Sequence, residues 1–384
     1  MALKTARRAG ISPFFAMEVL RAANERAAAG ETVLHLELGQ PGTPAPRGVI
    51  DAAKRALEAE PLGYTEALGV PALRCRIAGH YQAFYGVAVD PGRIVVTTGS
   101  SGGFLLAFLA AFDPGDRVAL AAPGYPAYRN ILSALGVEPV LLPTGPEDRF
   151  QPTPALLTAA GPLDGLIVAS PANPTGTMLS PAAFRRLHDA CRDRGIRFVS
   201  DEIYHGITFD ETPTTAAAFA EDALVINSFS KYFSMTGWRL GWMVAPSDLL
   251  RPIERLAQNL FIAPPTLPQH AAQAAFDCRD ELDANVRRYR ASRDRLLDLL
   301  PRIGFDRLAP ADGAFYLYAD VGGLTNDSEE FCRRMLAEAG VAATPGRDFD
   351  PERGHRYLRF SFAGAAADIA EAARRLAAWR DVSA

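Results

Sequence analysis

Arg93-Ile94-Val95-Val96-Thr97-Thr98 is followed by Gly99-Ser100-Ser101-Gly102-Gly103, and then by Phe104-Leu105-Leu106-Ala107-Phe108-Leu109. A β-branched run, a glycine-rich turn and a long apolar run together predict a strand, a turn and a buried helix. Asp113-Pro114-Gly115-Asp116 breaks that helix. The rhythm then repeats. Val118-Ala119-Leu120 is the next expected strand and Ala127 to Leu135 the next helix. Leu166 to Ala169, Arg197 to Ser200, Leu224 to Asn227 and Leu240 to Val244 read as further strands. Ser180 followed by Pro181 is a cap and first-turn pair, so a helix is expected from there to about Arg194. Strands alternating with helices imply an α/β domain whose mainly parallel sheet lies between helices. Such sheets bind ligands beyond the carboxyl ends of their strands.

After Ser247 the pattern turns helical, with a charged helix expected from about Glu281 to Leu300. Phe315-Tyr316-Leu317-Tyr318 and Tyr357-Leu358-Arg359-Phe360 read as strands, and Ala366 to Trp379 as a closing helix. The expected division is a large domain over 41–280 and a smaller α+β domain over 281–384. Residues 1–40, with a helix around Met17 to Ala28, are expected to join the smaller one.

Composition narrows the functional classes. The net charge of −4 provides no basic field for nucleic acid or an anionic membrane. Phe104 to Phe112 is far shorter than the roughly 20 residues that span a bilayer. The N-terminus carries no sustained apolar core of a secretory signal. Cys75, Cys191, Cys278 and Cys332 are scattered and form no metal-type pairs, so reduced thiols and a cytoplasmic location are expected. His35, His80, His188, His205, His270 and His355 show no ligand spacing, and no metal site is expected.

The chemistry concentrates in Ser228-Phe229-Ser230-Lys231-Tyr232-Phe233-Ser234-Met235-Thr236-Gly237-Trp238-Arg239-Leu240-Gly241. Hydroxyls and Arg239 suit a phosphate dianion, and Lys231 suits an imine to an aldehyde. This string resembles the lysine motif of the class I/II aminotransferases, the fold-type I pyridoxal-phosphate enzymes. The resemblance extends over nearly the whole chain. It implies pyridoxal 5′-phosphate as cofactor, held on Lys231 as a Schiff base, with Ser228, Ser230 and Arg239 beside it.

Other segments follow the same family in order. Ser170-Pro171-Ala172-Asn173-Pro174-Thr175-Gly176 resembles its Asn-Pro-Thr-Gly loop, which implies that Asn173 meets the cofactor's phenolic oxygen. By itself the string is also an ordinary Asn-Pro turn. In Asp201-Glu202-Ile203-Tyr204, the resemblance implies that Asp201 pairs with the pyridine nitrogen and that Tyr204 shares the phenolic oxygen. It places Ser100, Ser101 and Gly102 at the phosphate, where free N–H groups of a helix start attract anions. Tyr125 is implied to stack on the ring, Gly39 and Arg359 to hold the substrate carboxylate, and Tyr64 to reach the neighbouring subunit's phosphate in a homodimer.

The reading that follows is an aminotransferase moving an amino group between an L-amino acid and a 2-oxo acid. A β-elimination lyase, synthase or decarboxylase on the same scaffold is the alternative. A non-catalytic regulator is the lesser one, since too few residues precede Ile11 for a DNA-binding domain. No motif supplies a second cation for a side-chain carboxylate. The apolar segments Asn259 to Pro265 and Phe14-Phe15 are expected to line the substrate pocket, favouring neutral aliphatic or aromatic side chains.

Overall fold

A computed structural model describes residues 3–383. Its strands, in chain order, begin with β1 (Leu34–His35), β2 (Ile94–Thr97), β3 (Arg117–Ala122) and β4 (Glu138–Pro143). They continue with β5 (Gly165–Ala169), β6 (Arg197–Asp201), β7 (Leu224–Ser228) and β8 (Gly241–Val244). Then follow β9 (Arg307–Leu308), β10 (Tyr316–Asp320), β11 (Val341–Ala342), β12 (Thr344–Pro345) and β13 (Tyr357–Ser361). The large sheet has the order β2-β8-β7-β6-β5-β3-β4. It is parallel except at β8, which runs against both β2 and β7.

Both faces of this sheet are covered. Leu166, Val168 and Phe198 point into one apolar cluster, while Ile167 and Val199 point into another. The alternation is that of a strand with helices on each side. The helix Gly99–Ala111 is apolar all round and packs Phe104, Leu106 and Phe108 into the second cluster. It begins at Gly99, two residues beyond β2, so the expected glycine-rich turn is in fact its first turn. Burial of the apolar residues that follow outweighs the poor helix propensity of glycine, about 1 kcal/mol each.

The smaller antiparallel sheet has the order β12-β13-β10-β9. β1 pairs with β11, which ties residues 34–35 to that part of the chain. The N-terminal helix, Phe15–Ala28, packs Ala23 against Leu336 and Ala342 on the same side. On the charged helix Arg279–Leu299, Arg293 turns inward. It is buried, with its guanidinium 4.2 Å from the Phe209 ring and Nη1 donating to Ala311 O at 3.1 Å. A cation above an aromatic face is favourable when withdrawn from water.

Candidate active site

The carboxyl ends of β2, β5, β6 and β7 open on a single cavity of about 530 Å3. Lys231 enters it from the connection between β7 and β8. That connection must reverse the chain within a few residues, and it does so with Ser234 and Arg239 in left-handed conformations (φ 54° and 51°). Non-glycine residues adopt this region at a cost, which is most often met at functional sites. Ser228 Oγ braces the connection by accepting from Ser230 N at 3.0 Å. Gly241 is needed behind it, because a Cβ there would crowd Ser100 N and Asn227 O.

Lys231 Nζ donates to Gly39 O at 2.6 Å. Gly39 leaves room for the neighbouring phenol: any Cβ at this position would overlap the Tyr316 hydroxyl. Withdrawal from water, reinforced by the charges of Arg359 and Arg239, lowers the Lys231 amine to about 8. Asp201, at the end of β6, is buried, and desolvation raises its carboxyl to about 6. Hydrogen bonds from the Tyr128 hydroxyl and Ile203 N oppose that rise, as does the Lys231 charge. Among the described residues Asp201 has no ion-pair partner, so a cation brought close to it would restore ordinary ionisation.

The Tyr204 hydroxyl lies 2.8 Å from that of Tyr316, and burial raises it well above the usual phenol range. Tyr204 is therefore a neutral hydrogen-bonding group. Asn173 Oδ1 accepts from Arg359 Nη1 at 2.7 Å. Arg359 Nη2 is taken by Glu37 O and by Thr344 Oγ1, and the guanidinium lies between the rings of Tyr316 (4.3 Å) and Phe349 (4.7 Å). Arg359 Nε has no partner among the described residues, nor does a carboxylate pair with this buried cation. A buried guanidinium with a spare donor and no carboxylate at ion-pair distance suits an incoming carboxylate.

At the far end, Ser100, Ser101, Ser230 and Arg239 line the cavity beside the start of the helix Gly99–Ala111. Thr98 provides no side-chain cap for that helix, so its first N–H groups remain for a ligand. Gly99 is left-handed (φ 66°), and a Cβ there would clash with the Arg239 guanidinium. The cavity thus presents an anion cradle, a desolvated lysine, a buried carboxylate, four phenols, an amide and an unpaired guanidinium. These groups fit pyridoxal phosphate by donor type and charge at each end.

The fold also brings Gly39, Tyr125, Asn173, Tyr204 and Arg359 onto this cavity. Gly102, Ser228 and Tyr64 do not line it. Gly102 faces inward one step along the helix, and the Ser228 hydroxyl donates to Leu240 O at 3.3 Å, within its own loop. Tyr64 is 85% exposed on the outer surface. The expected apolar lining is also only partly found. Phe14 lines the cavity together with Ala16, Met17 and Leu20, whereas Phe15 and Asn259 to Pro265 do not. The helix Ser247–Leu260 ends there, and the chain turns at the surface with Leu260 and Ile262 about half exposed. Tyr128 and Tyr316 were not among the expected residues. Tyr128 sits three positions beyond Tyr125 at a helix start, a spacing that puts both on one face.

The family model of the class I and II aminotransferases matches residues 31–376. The chain belongs to the class I and II aminotransferases. Valine–pyruvate aminotransferase from Mycobacterium tuberculosis is 51% identical over 381 residues, covering 98% of each chain. A crystal structure of an aminotransferase from the same organism superposes with a TM-score of 0.97, covering 99% of this aminotransferase and all of that chain. Aspartate aminotransferase from Thermus thermophilus, solved with maleate, is similar at 29% identity and a TM-score of 0.93, covering 98% and 100%. This aminotransferase is a pyridoxal-phosphate enzyme that transfers an amino group between an amino acid and a 2-oxo acid. No helix among its described residues is long and apolar enough to cross a membrane.

Proposed function

We infer that the amino donor carries an uncharged side chain, of the valine or alanine type, and that Lys231, Asp201, Tyr204, Asn173 and Arg359 carry the reaction. Bound pyridoxal phosphate supplies the aldehyde that takes up the amino group and a ring that draws electrons from the substrate's α-carbon. Lys231 Nζ holds the cofactor and then serves as the base for the α-proton. Its lowered basicity suits proton transfer near neutral pH. Asp201, buried at the cavity, would pair with the ring nitrogen of the bound cofactor and keep it protonated. Tyr204 and Asn173 orient the phenolic oxygen. Arg359 and Gly39 bind the α-carboxylate.

One observation carries the substrate reading. The cavity's cations are Lys231, Arg239 and Arg359; Lys231 and Arg359 take the roles above, and Arg239 belongs to the anion cradle. None is left among the described residues for a side-chain carboxylate, whose burial without a partner is costly. Phe14, Met17 and Leu20 offer apolar surface instead. The Mycobacterium tuberculosis relative named for valine and pyruvate supports the same reading.

The working unit in this reading is a two-fold dimer in which Tyr64 reaches the partner's phosphate site. Exposed Tyr64, Leu260 and Ile262 support it, as does the hydrogen bond from Thr266 Oγ1 to Gly63 O, which holds the two segments side by side. Four unpaired cysteines suit a cytoplasmic setting. The test compares kcat/KM for valine, alanine, phenylalanine and aspartate with one fixed 2-oxo acid. Valine or alanine is expected to exceed aspartate by at least about tenfold. Aspartate in the lead would overturn the substrate reading.

A further inference from the structure

The N-terminal helix, Phe15–Ala28, has no cap from its own sequence: Phe14 precedes it and supplies no side-chain acceptor. Its first-turn N–H groups are met from the other end of the chain. Asp348 Oδ1 accepts from Phe15 N at 3.2 Å and Oδ2 from Ala16 N at 3.1 Å. Asp348 is fully buried, so this carboxylate is committed to the helix end, where a negative charge is favoured. The helix in turn presents Phe14, Met17 and Leu20, three residues apart, to the cavity. Phe14 also meets the Tyr125 ring edge-on at 5.8 Å.

The turn that carries Asp348 is anchored to the site elsewhere. Arg129 Nη2 donates to Asp348 O at 2.7 Å, and Gly124 N donates to Phe349 O at 3.0 Å. The Phe349 ring supports the Arg359 guanidinium. One short turn therefore holds both the apolar wall and the prop beneath the carboxylate-binding arginine.

We propose that Asp348 is a positioning residue that latches the N-terminal helix as the specificity wall, and that Phe14, Met17 and Leu20 on that wall select the donor side chain. The inference rests on the reading that the donor is neutral. Loss of the latch frees the first helical turn and opens the side-chain end of the pocket, while Arg359 keeps its remaining partners. Selectivity among side chains then suffers more than binding of the carboxylate common to all donors.

The test uses the enzyme loaded with pyridoxal phosphate, as native protein, Asp348→Ala, Asp348→Asn and Leu20→Ala. Amide hydrogen exchange is read over residues 12–20, and kcat/KM is measured for alanine and valine. In Asp348→Ala, exchange in that segment is expected to quicken at least tenfold, with Gly99–Ala111 unchanged, and the valine-to-alanine ratio to shift by about tenfold. Asp348→Asn, which keeps an acceptor, should fall between it and the native protein. Leu20→Ala should shift the ratio without altering exchange. Unchanged exchange in Asp348→Ala would overturn the latch. Faster exchange with an unchanged ratio, or an unchanged ratio in Leu20→Ala, would overturn the selecting wall. A native enzyme that prefers aspartate would count against the neutral-donor reading alone, because the exchange result stands independently of it.

Discussion

Tyr128 directs its hydroxyl onto Oδ2 of Asp201, so the buried carboxylate meets a phenol in place of water. The donor holds down a carboxyl that burial alone would push further above its present value of about 6. Tyr128→Phe removes that hydrogen bond with little change in shape. A bond to an ionised group contributes about 1.5–3 kcal/mol, so retention of pyridoxal phosphate should weaken by roughly tenfold or more. Fluorescence titration of the cofactor-free variant checks this. Unchanged affinity would show that the phenol does not tune Asp201.

Arg359 should matter for every substrate that carries a carboxylate. Arg359→Lys keeps the charge but loses the planar fork and its stacking between Tyr316 and Phe349. KM should rise about tenfold to a hundredfold for amino acid and oxo acid alike, with a smaller change in kcat. A primary amine without a carboxylate should be little affected. Steady-state kinetics with the three ligands provides the comparison, and equal losses for all of them would point to a general structural defect.

Much of this arrangement is legible locally. The run from Ser228 to Gly241 carries its lysine, hydroxyls and arginine within one connection, Asp201 ends an apolar strand, and Asn173 lies in the loop that follows another. Tyr128 could have been found from its helical spacing to Tyr125. β4 was hidden for a different reason. It was not among the expected strands, because two prolines weaken a strand pattern, but it is the edge strand of the large sheet, where proline is tolerated. Tyr316 and Asp348 give no local sign at all. Each acquires its role through a partner far along the chain, and the bond from Ala16 to Asp348 spans 332 positions.

The lowered basicity of Lys231 implies a pH-dependent burden on the cofactor-free protein. The amine titrates near 8 when folded, against an ordinary 10.5. Between those values the unfolded chain binds more protons, so folding stability rises with pH across that window. The full burden lies below it. Cofactor-free Lys231→Met should therefore be more stable than its parent at neutral pH, by about 1 kcal/mol once the amine's exposure to the open cavity is allowed for. The gap should close as pH approaches 10.5. Urea unfolding at a series of pH values checks it, and a gap that widens with pH would contradict the assignment.

The central claim is that Lys231 is the residue to which the cofactor is bound. Purified enzyme should be yellow, and borohydride should fix pyridoxal phosphate covalently. Digestion and mass spectrometry then identify the attachment site. The account predicts the reduced adduct on Lys231, and no adduct in Lys231→Ala. An adduct on Lys4 or Lys54, the other lysines of the chain, or cofactor fully released after reduction, would contradict it.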